Sequence, residues 1–267
     1  MSAANSSYHA FRRWARATLA HVAGVHGGGS DVAREVYQTS TMGALLDGVY
    51  DGDVTIGELL EHGDFGLGTF NRLDGEMLIL DGVCHHLRAD GSARIAELTD
   101  RTPFAAVTWF TPETRIPVPP GSDRAAVKAL IDGALASVNL VYAVRLAGTF
   151  REIRTRTVME QRPPYPPLTE ATKGQQETVL DGVDGTLAGY RTPDYEQGIS
   201  VAGYHLHFID GDHRRGGHAL DFRVERGSVE ISARSELHVS LPRTPQFLAS
   251  NLTPANIAGQ IRQAEGG

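Results

Sequence analysis

What most limits the fold of this chain is the shortness of its apolar runs and the regular turns between them. FGLGTF, EMLILDG, VCHHLRADGSARI and FAAVTWF are each long enough for one strand, and Asp74-Gly75 and Asp90-Gly91 are hairpin signals, so this stretch predicts a strand meander. LVYAVRLA and FREIRTRTV flank Gly148-Thr149 and predict a further hairpin, whose second strand sets Arg154 and Arg156 on one face against Ile153, Thr155 and Thr157. GTLAGYRT, GYHLHFI, GHALDFRVE and SVEISA are also strand-like. Helical signals are sparse. Thr55 and Glu58 form a capping box that predicts a short helix over 56–62, stopped by Gly63. Ser122 opens a second helix, with Val127, Leu130, Ile131, Ala134 and Leu135 on one face, suited to lie flat on a sheet.

The expected class is therefore α+β, two sheet-based halves with mixed or antiparallel sheets and a few flanking helices. Four prolines in QRPPYPPL cannot join a central strand, which places the division near residue 160: a sheet domain over 34–160 and a second over 161–267. Residues 1–33 form an N-terminal extension. Arg12-Arg13 superficially matches a twin-arginine export signal, but Arg16 and His21 interrupt the apolar stretch. Phe11, Trp14, Ala15, Thr18, Leu19 and Val22 instead share a helical face before the Gly27-Gly28-Gly29 joint.

Composition removes several function classes. A net charge of −7 offers no general attraction to nucleic acid or to an anionic membrane surface. No run approaches the ~18–20 apolar residues of a membrane span, so a soluble, cytoplasmic protein is expected. Cys84 is the single cysteine, which excludes an intramolecular disulfide and a cysteine-rich zinc site, and it reads as a small buried hydrophobe. Histidine and carboxylate remain as metal ligands.

Four of the eleven histidines fall between His205 and His218, where uniform scatter gives about 0.6. His205 and His207 are two apart in GYHLHFI, so a strand projects both rings from one face. A hairpin centred between residues 212 and 213 sets His207 opposite His218, with directly opposed Cβ atoms ~4.5–5.5 Å apart. Three imidazoles then converge, which is the ligand set of an open catalytic metal site. His213 belongs to the solvated turn tip, and the adjacent His85 and His86 point to opposite faces and cannot chelate one ion. Neither H-E-x-x-H nor G-x-S-x-G occurs, and the cupin-like glutamate expected four or five residues after the second histidine is replaced by Gly211 and Asp212. The residues alone define a mononuclear, histidine-ligated metal enzyme whose anionic substrate is held by Arg154 or Arg156. A structural zinc protein and a cupin-like oxygenase acting on a related keto acid remain as alternatives.

Five segments together resemble the α-acetolactate decarboxylase family: GTFNRLDGEMLILDG at 68–82, GTFREIRTRTV at 148–158, PPYPPLTE at 163–170, GTLAGYRTPDYEQGISVAGYHLHFIDGDHRRGGHALDF at 185–222, and the tail motif LPRTPQF. The resemblance covers most of the chain from about residue 37. It implies a Zn2+ enzyme that converts (S)-2-acetolactate to (R)-acetoin and carbon dioxide through a metal-stabilised enediolate. It places the metal on His205, His207 and His218, and puts Thr69, Glu76 and Arg156 on active-site positions. Glu265, in the tail QAEGG, is matched to a C-terminal glutamate. The expected partner is the small-molecule substrate, with no nucleic acid and no membrane, and the expected assembly is a homodimer.

Overall fold

A computed structural model describes residues 34–253 and 256–265. The helix expected between Phe11 and Val22 lies outside the described residues. Among those that are described, no helix is long and apolar enough to cross a membrane.

The first sheet has seven strands: β1 (Glu35–Thr39), β3 (Phe65–Thr69), β4 (Glu76–Leu80), β5 (Val83–Leu87), β6 (Ala93–Ile95), β8 (Phe104–Thr108) and β14 (Glu236–Ser240), in the order β14-β1-β8-β3-β4-β5-β6. Strands β3 to β6 form the antiparallel meander that the turn signals predict. At the other edge β1 pairs in parallel with β14. β2 (Val54–Thr55) and β7 (Arg101–Thr102) make a separate two-residue ladder. The short helix after β2 is α2 (Ile56–Leu59), and its capping box forms as read, with both Thr55 and Glu58 bonded reciprocally. It is preceded by α1 (Met42–Leu46), capped by the Thr41 hydroxyl.

The second sheet contains β9 (Thr114–Val118), β10 (Val141–Thr157), β11 (Gln176–Thr192), β12 (Gly203–Asp210) and β13 (Gly216–Arg234). β10 pairs with both β11 and β13 along its length, and β12 pairs with β11 on one side and with β13 on the other. These four strands therefore close a circuit. The β12–β13 pairing consists of His207↔His218, Phe208↔Gly217 and Ile209↔Gly216, so the hairpin register read from the sequence is the register observed.

Three expectations need correction. Gly148-Thr149 is not a turn: β10 runs straight through it as one 17-residue strand. Gly148 is opposed by Gly185 and Gly227, and a Cβ there would come within 2.1 Å of the Arg226 carbonyl oxygen. The glycine serves a close strand approach, with a register shift beside it that bends a long strand. The sheets do not divide near residue 160, since β10, before it, and β11, after it, are neighbours. The changeover falls between β8 and β9, and β14 returns to the first sheet. The proline-rich segment instead leads to α4 (Leu168–Ala171) and is docked, with Tyr165 bonded to Asp51 and the Pro166 carbonyl accepting from Tyr50. Finally, the cap of α3 (Arg124–Asp132) is Asp123, which accepts from the Ala126 amide, while Ser122 donates to the Pro119 carbonyl.

The two sheets share an apolar interior in which Phe65, Leu67 and Leu78 of the first meet Val141, Ala143 and Tyr190 of the second. Val127 and Ile131 of α3 join a separate apolar cluster with Val144, Phe150, Phe208 and Phe222 of the second sheet. Gly189 lies where the sheets approach: a Cβ would stand 2.1 Å from the His205 carbonyl oxygen and 2.7 Å from a Leu67 methyl. Gly189→Ala is expected to destabilise the fold by ~1–3 kcal/mol through overpacking. A denaturant midpoint equal to wild type would show that the sheets yield at this point.

Candidate metal centre

The short β12–β13 pairing brings the chemistry together. Reading across the strands, Arg156 of β10 is the register partner of His218 of β13, which is the partner of His207 of β12. Residues in one cross-strand row share a face, and His205, two positions along β12, joins them. The three imidazole rings stand with centroids 5.1, 5.1 and 5.4 Å apart. One nitrogen from each lies within 4.8 Å of the others, so the cluster can hold a metal ion.

The outer hydrogen bonds choose the tautomers. His207 Nδ1 donates to the Met77 carbonyl at 2.8 Å, which leaves Nε2 buried, deprotonated and without a hydrogen-bond partner. His218 Nε2 donates to the Glu265 carbonyl at 3.0 Å, which turns Nδ1 inward. Both bonds to backbone carbonyls are of the kind that orient a metal-ligating imidazole. Burial holds His205 and His207 down to about 3 and drives His218 well below the ordinary histidine value, with Arg156 and the neighbouring rings adding to the effect. Neutral imidazoles with an orphaned inward lone pair are the donor set that a divalent cation requires.

Two carboxyl groups flank the cluster. Glu265 Oε2 lies 3.5 Å from His205 Nε2, 3.6 Å from His218 Nδ1 and 3.7 Å from Arg156 Nη2. It is delivered by α6 (Ile257–Glu265), which follows the short α5 (Pro245–Ala249) and whose Ile261 and Ala264 are buried against Met42, Leu45 and Leu168. The tail thus covers the site as a packed helix. Glu76 Oε2 lies 3.6 Å from His207 Nε2. Desolvation pushes its carboxyl up to about 8 despite the opposing pull of Arg156, and Glu265 is raised for the same first reason. Thr69, the register partner of Glu76, donates its hydroxyl to the Gly75 carbonyl at 2.6 Å and so ties down the turn from which Glu76 emerges.

Thr69, Glu76, Arg156, His205 and Glu265 line one cavity, with His207 and His218 beside it. Arg154 does not join them. Its side chain is 47% exposed and pairs with Glu177, the register partner of Arg156. The two arginines keep the shared face that alternation gives them, but only Arg156 falls in the row of His218 and His207 and lines the cavity. His86 is held elsewhere, stacked on Phe70 and close to Asp74, and His85 meets the ring of His213. Sequence reading missed the Met77 carbonyl and Gln175, whose Oε1 accepts from Arg156 Nη1 at 2.7 Å. Neither carries a local signal, since one is backbone and the other an ordinary amide in a polar stretch.

Comparison with known proteins places the chain. The family model described as alpha-acetolactate decarboxylase matches residues 36–254. The chain is 47% identical over 230 residues to the alpha-acetolactate decarboxylase of Klebsiella aerogenes, covering 86% of this chain and 88% of that protein. It is 48% identical over 231 residues to that of Methylococcus capsulatus, with the same coverage of 86% and 88%. The crystal structure of the Bacillus subtilis strain 168 alpha-acetolactate decarboxylase superposes with a TM-score of 0.86 at 44% identity, covering 87% of this chain and all of that one. Fold and relatives together define an enzyme of the carboxy-lyase class. The chain belongs to the alpha-acetolactate decarboxylase family, and the cupin-like alternative falls with that membership.

Two outcomes are expected of His207→Ala. It should lose a bound divalent ion, because two imidazoles replace three. In metal-stripped protein, His207 stays neutral when folded down to about 3 but takes up a proton in the unfolded chain below its ordinary 6.5. Its stabilising contribution is thus complete above pH 6.5 and is lost as pH falls towards 3. The difference in denaturant midpoint between wild type and variant should narrow across that window, and a constant difference would place a charged imidazole at this position.

Proposed function

We propose that this protein decarboxylates (S)-2-acetolactate to (R)-acetoin, with Zn2+ held by His205, His207 and His218. The observation that carries the reading is a cavity lined by His205, a guanidinium and two protonatable carboxyls, with His207 and His218 beside it and all three imidazoles neutral. A divalent ion held by these three histidines would supply Lewis acidity that stabilises developing negative charge more than the ground-state ketone.

The chain's own residues account for the rest. The Arg156 guanidinium takes the substrate carboxylate through its planar fork, a geometry that lysine does not reproduce. Breaking the bond to the carboxylate carbon leaves its electron pair on the enediolate, a planar species that one proton on carbon converts to acetoin. Met42, Leu45, Leu73, Phe104, Val158 and Leu168 line the same cavity and exclude water, which would otherwise protonate either face. Glu76, raised to about 8 by burial, carries a proton near neutral pH and is the acid that delivers it to one face. Glu265, set among His205, His218 and Arg156, closes the opposite side and is the second candidate for that role. Thr69 fixes the turn that presents Glu76.

Incubating the purified protein with racemic 2-acetolactate, with acetoin assayed and metal content measured together, tests the reading. Acetoin formation from one enantiomer with one zinc per chain is expected, and no acetoin from metal-replete protein would overturn it. Glu76→Gln should lower turnover roughly a hundredfold or more, or scramble product chirality, as loss of a positioned acid requires. Wild-type rate with pure (R)-acetoin would remove Glu76 from the role and leave Glu265.

A further inference from the structure

Arg156 is a deeply buried cation, 4% exposed, whose side chain makes one hydrogen bond among the described residues. Its Nη1 donates to Gln175 Oε1 at 2.7 Å. Nε is buried without a partner, and Nη2 stands 3.7 Å from Glu265 Oε2, outside hydrogen-bond reach. A buried guanidinium is ordinarily matched by a carboxylate in direct contact, since an unpaired buried charge is costly. Here the one direct acceptor is a neutral amide. Nε–H and Nη2–H lie on one edge of the guanidinium, which is the edge that engages a carboxylate bidentately. That edge is the one left open.

Gln175 is placed for holding this group rather than for touching the substrate. It does not line the cavity that Arg156 enters. It directly precedes β11, whose Gln176 pairs with Thr157, the residue after Arg156. The segment leading to it, through Leu168 and Ala171, packs in the same apolar cluster as Ile261 and Ala264 of α6. The helix that brings Glu265 and the segment that brings Gln175 are therefore one packed unit on either side of the guanidinium.

We propose that Gln175 is a positioning residue, whose neutral amide oxygen grips Arg156 at Nη1, aims its Nε/Nη2 edge into the cavity, and adds no negative charge of its own that would compete with a substrate carboxylate. The proposal rests on the reading of Arg156 as the carboxylate holder and adds to it a reason for an amide at 175. An acidic residue there would keep the hydrogen bond but cancel the charge, and an apolar one would free the guanidinium to turn.

The test uses the metal-replete, full-length protein and two probes measured by calorimetry. One is 2-hydroxy-2-methylbutanoate, which keeps the carboxylate and hydroxyl of the substrate and lacks its ketone. The other is neutral acetoin. Gln175→Leu should weaken binding of the carboxylate by about tenfold or more, the size of one hydrogen bond to a charged group, with acetoin binding within about twofold of wild type. Gln175→Glu, nearly isosteric, should weaken the carboxylate at least as much while leaving acetoin binding and metal content unchanged. Wild-type carboxylate affinity in Gln175→Glu would overturn the proposal. So would equal losses for both probes, which would indicate general damage to the site. Arg156→Gln separates the two levels: undiminished carboxylate binding in that variant would overturn the role of Arg156 and with it that of Gln175. Failure of wild type to form acetoin while the Gln175 variants behave as expected would leave the anion site standing and sink only the assigned reaction.

Discussion

The three-pair ladder between β12 and β13 is the constraint on which the site depends. It closes the circuit of β10, β11, β12 and β13 at one end, and its first pair is His207↔His218. Because β13 pairs on its other side with β10, the same row continues to Arg156. Two histidines of the cluster that can hold a metal ion and a buried guanidinium are thus consecutive members of one hydrogen-bonded row, at a spacing set by the backbone rather than by flexible side chains.

Enclosure then determines the chemistry. Three imidazoles removed from water stay neutral, and the carboxyls of two glutamates removed from the same water are raised, that of Glu76 to about 8. One physical cause, the cost of burying charge, moves the bases down and the acids up. Both shifts suit a centre that binds a cation and later supplies a proton. Arg156 is the exception, since it retains its charge in the same surroundings, and the segment bearing Gln175 and the helix bearing Glu265 are packed around it.

Much of the fold was legible where a local rule has one outcome. The capping box at Thr55 and Glu58 formed as read, the meander from Phe65 to Ile95 followed its turn signals, and the hairpin register placed His207 opposite His218. Errors arose where a residue has two uses. Gly148 was read as a turn and is a point of close strand approach, and the proline-rich segment was read as a divider between sheets and is docked within one structure. Both residue types interrupt or tighten the backbone, and which of the two happens depends on what lies across from them. Arg154 and Arg156 are equivalent by alternation, and only their place along the strand separates them, since Arg156 alone falls in the row of His218 and His207.

The sequence by itself determined the face that carries the three histidines, because the two-residue period of a strand and the symmetry of a hairpin about its turn are local geometry. It also carried the family resemblance that assigned Thr69, Glu76 and Arg156. The tertiary structure decided what surrounds that face: Glu265 reaches the histidines from the far end of the chain, and Gln175 reaches Arg156 across nineteen positions. Such contacts depend on how α6 and the segment after the prolines pack against the first sheet's helices. That packing is driven by the burial of Ile261, Ala264, Leu168 and Met42 in a common core. The hydrophobic effect that drives it has no direction of its own, so the partner of each apolar face is settled only when the whole chain is folded.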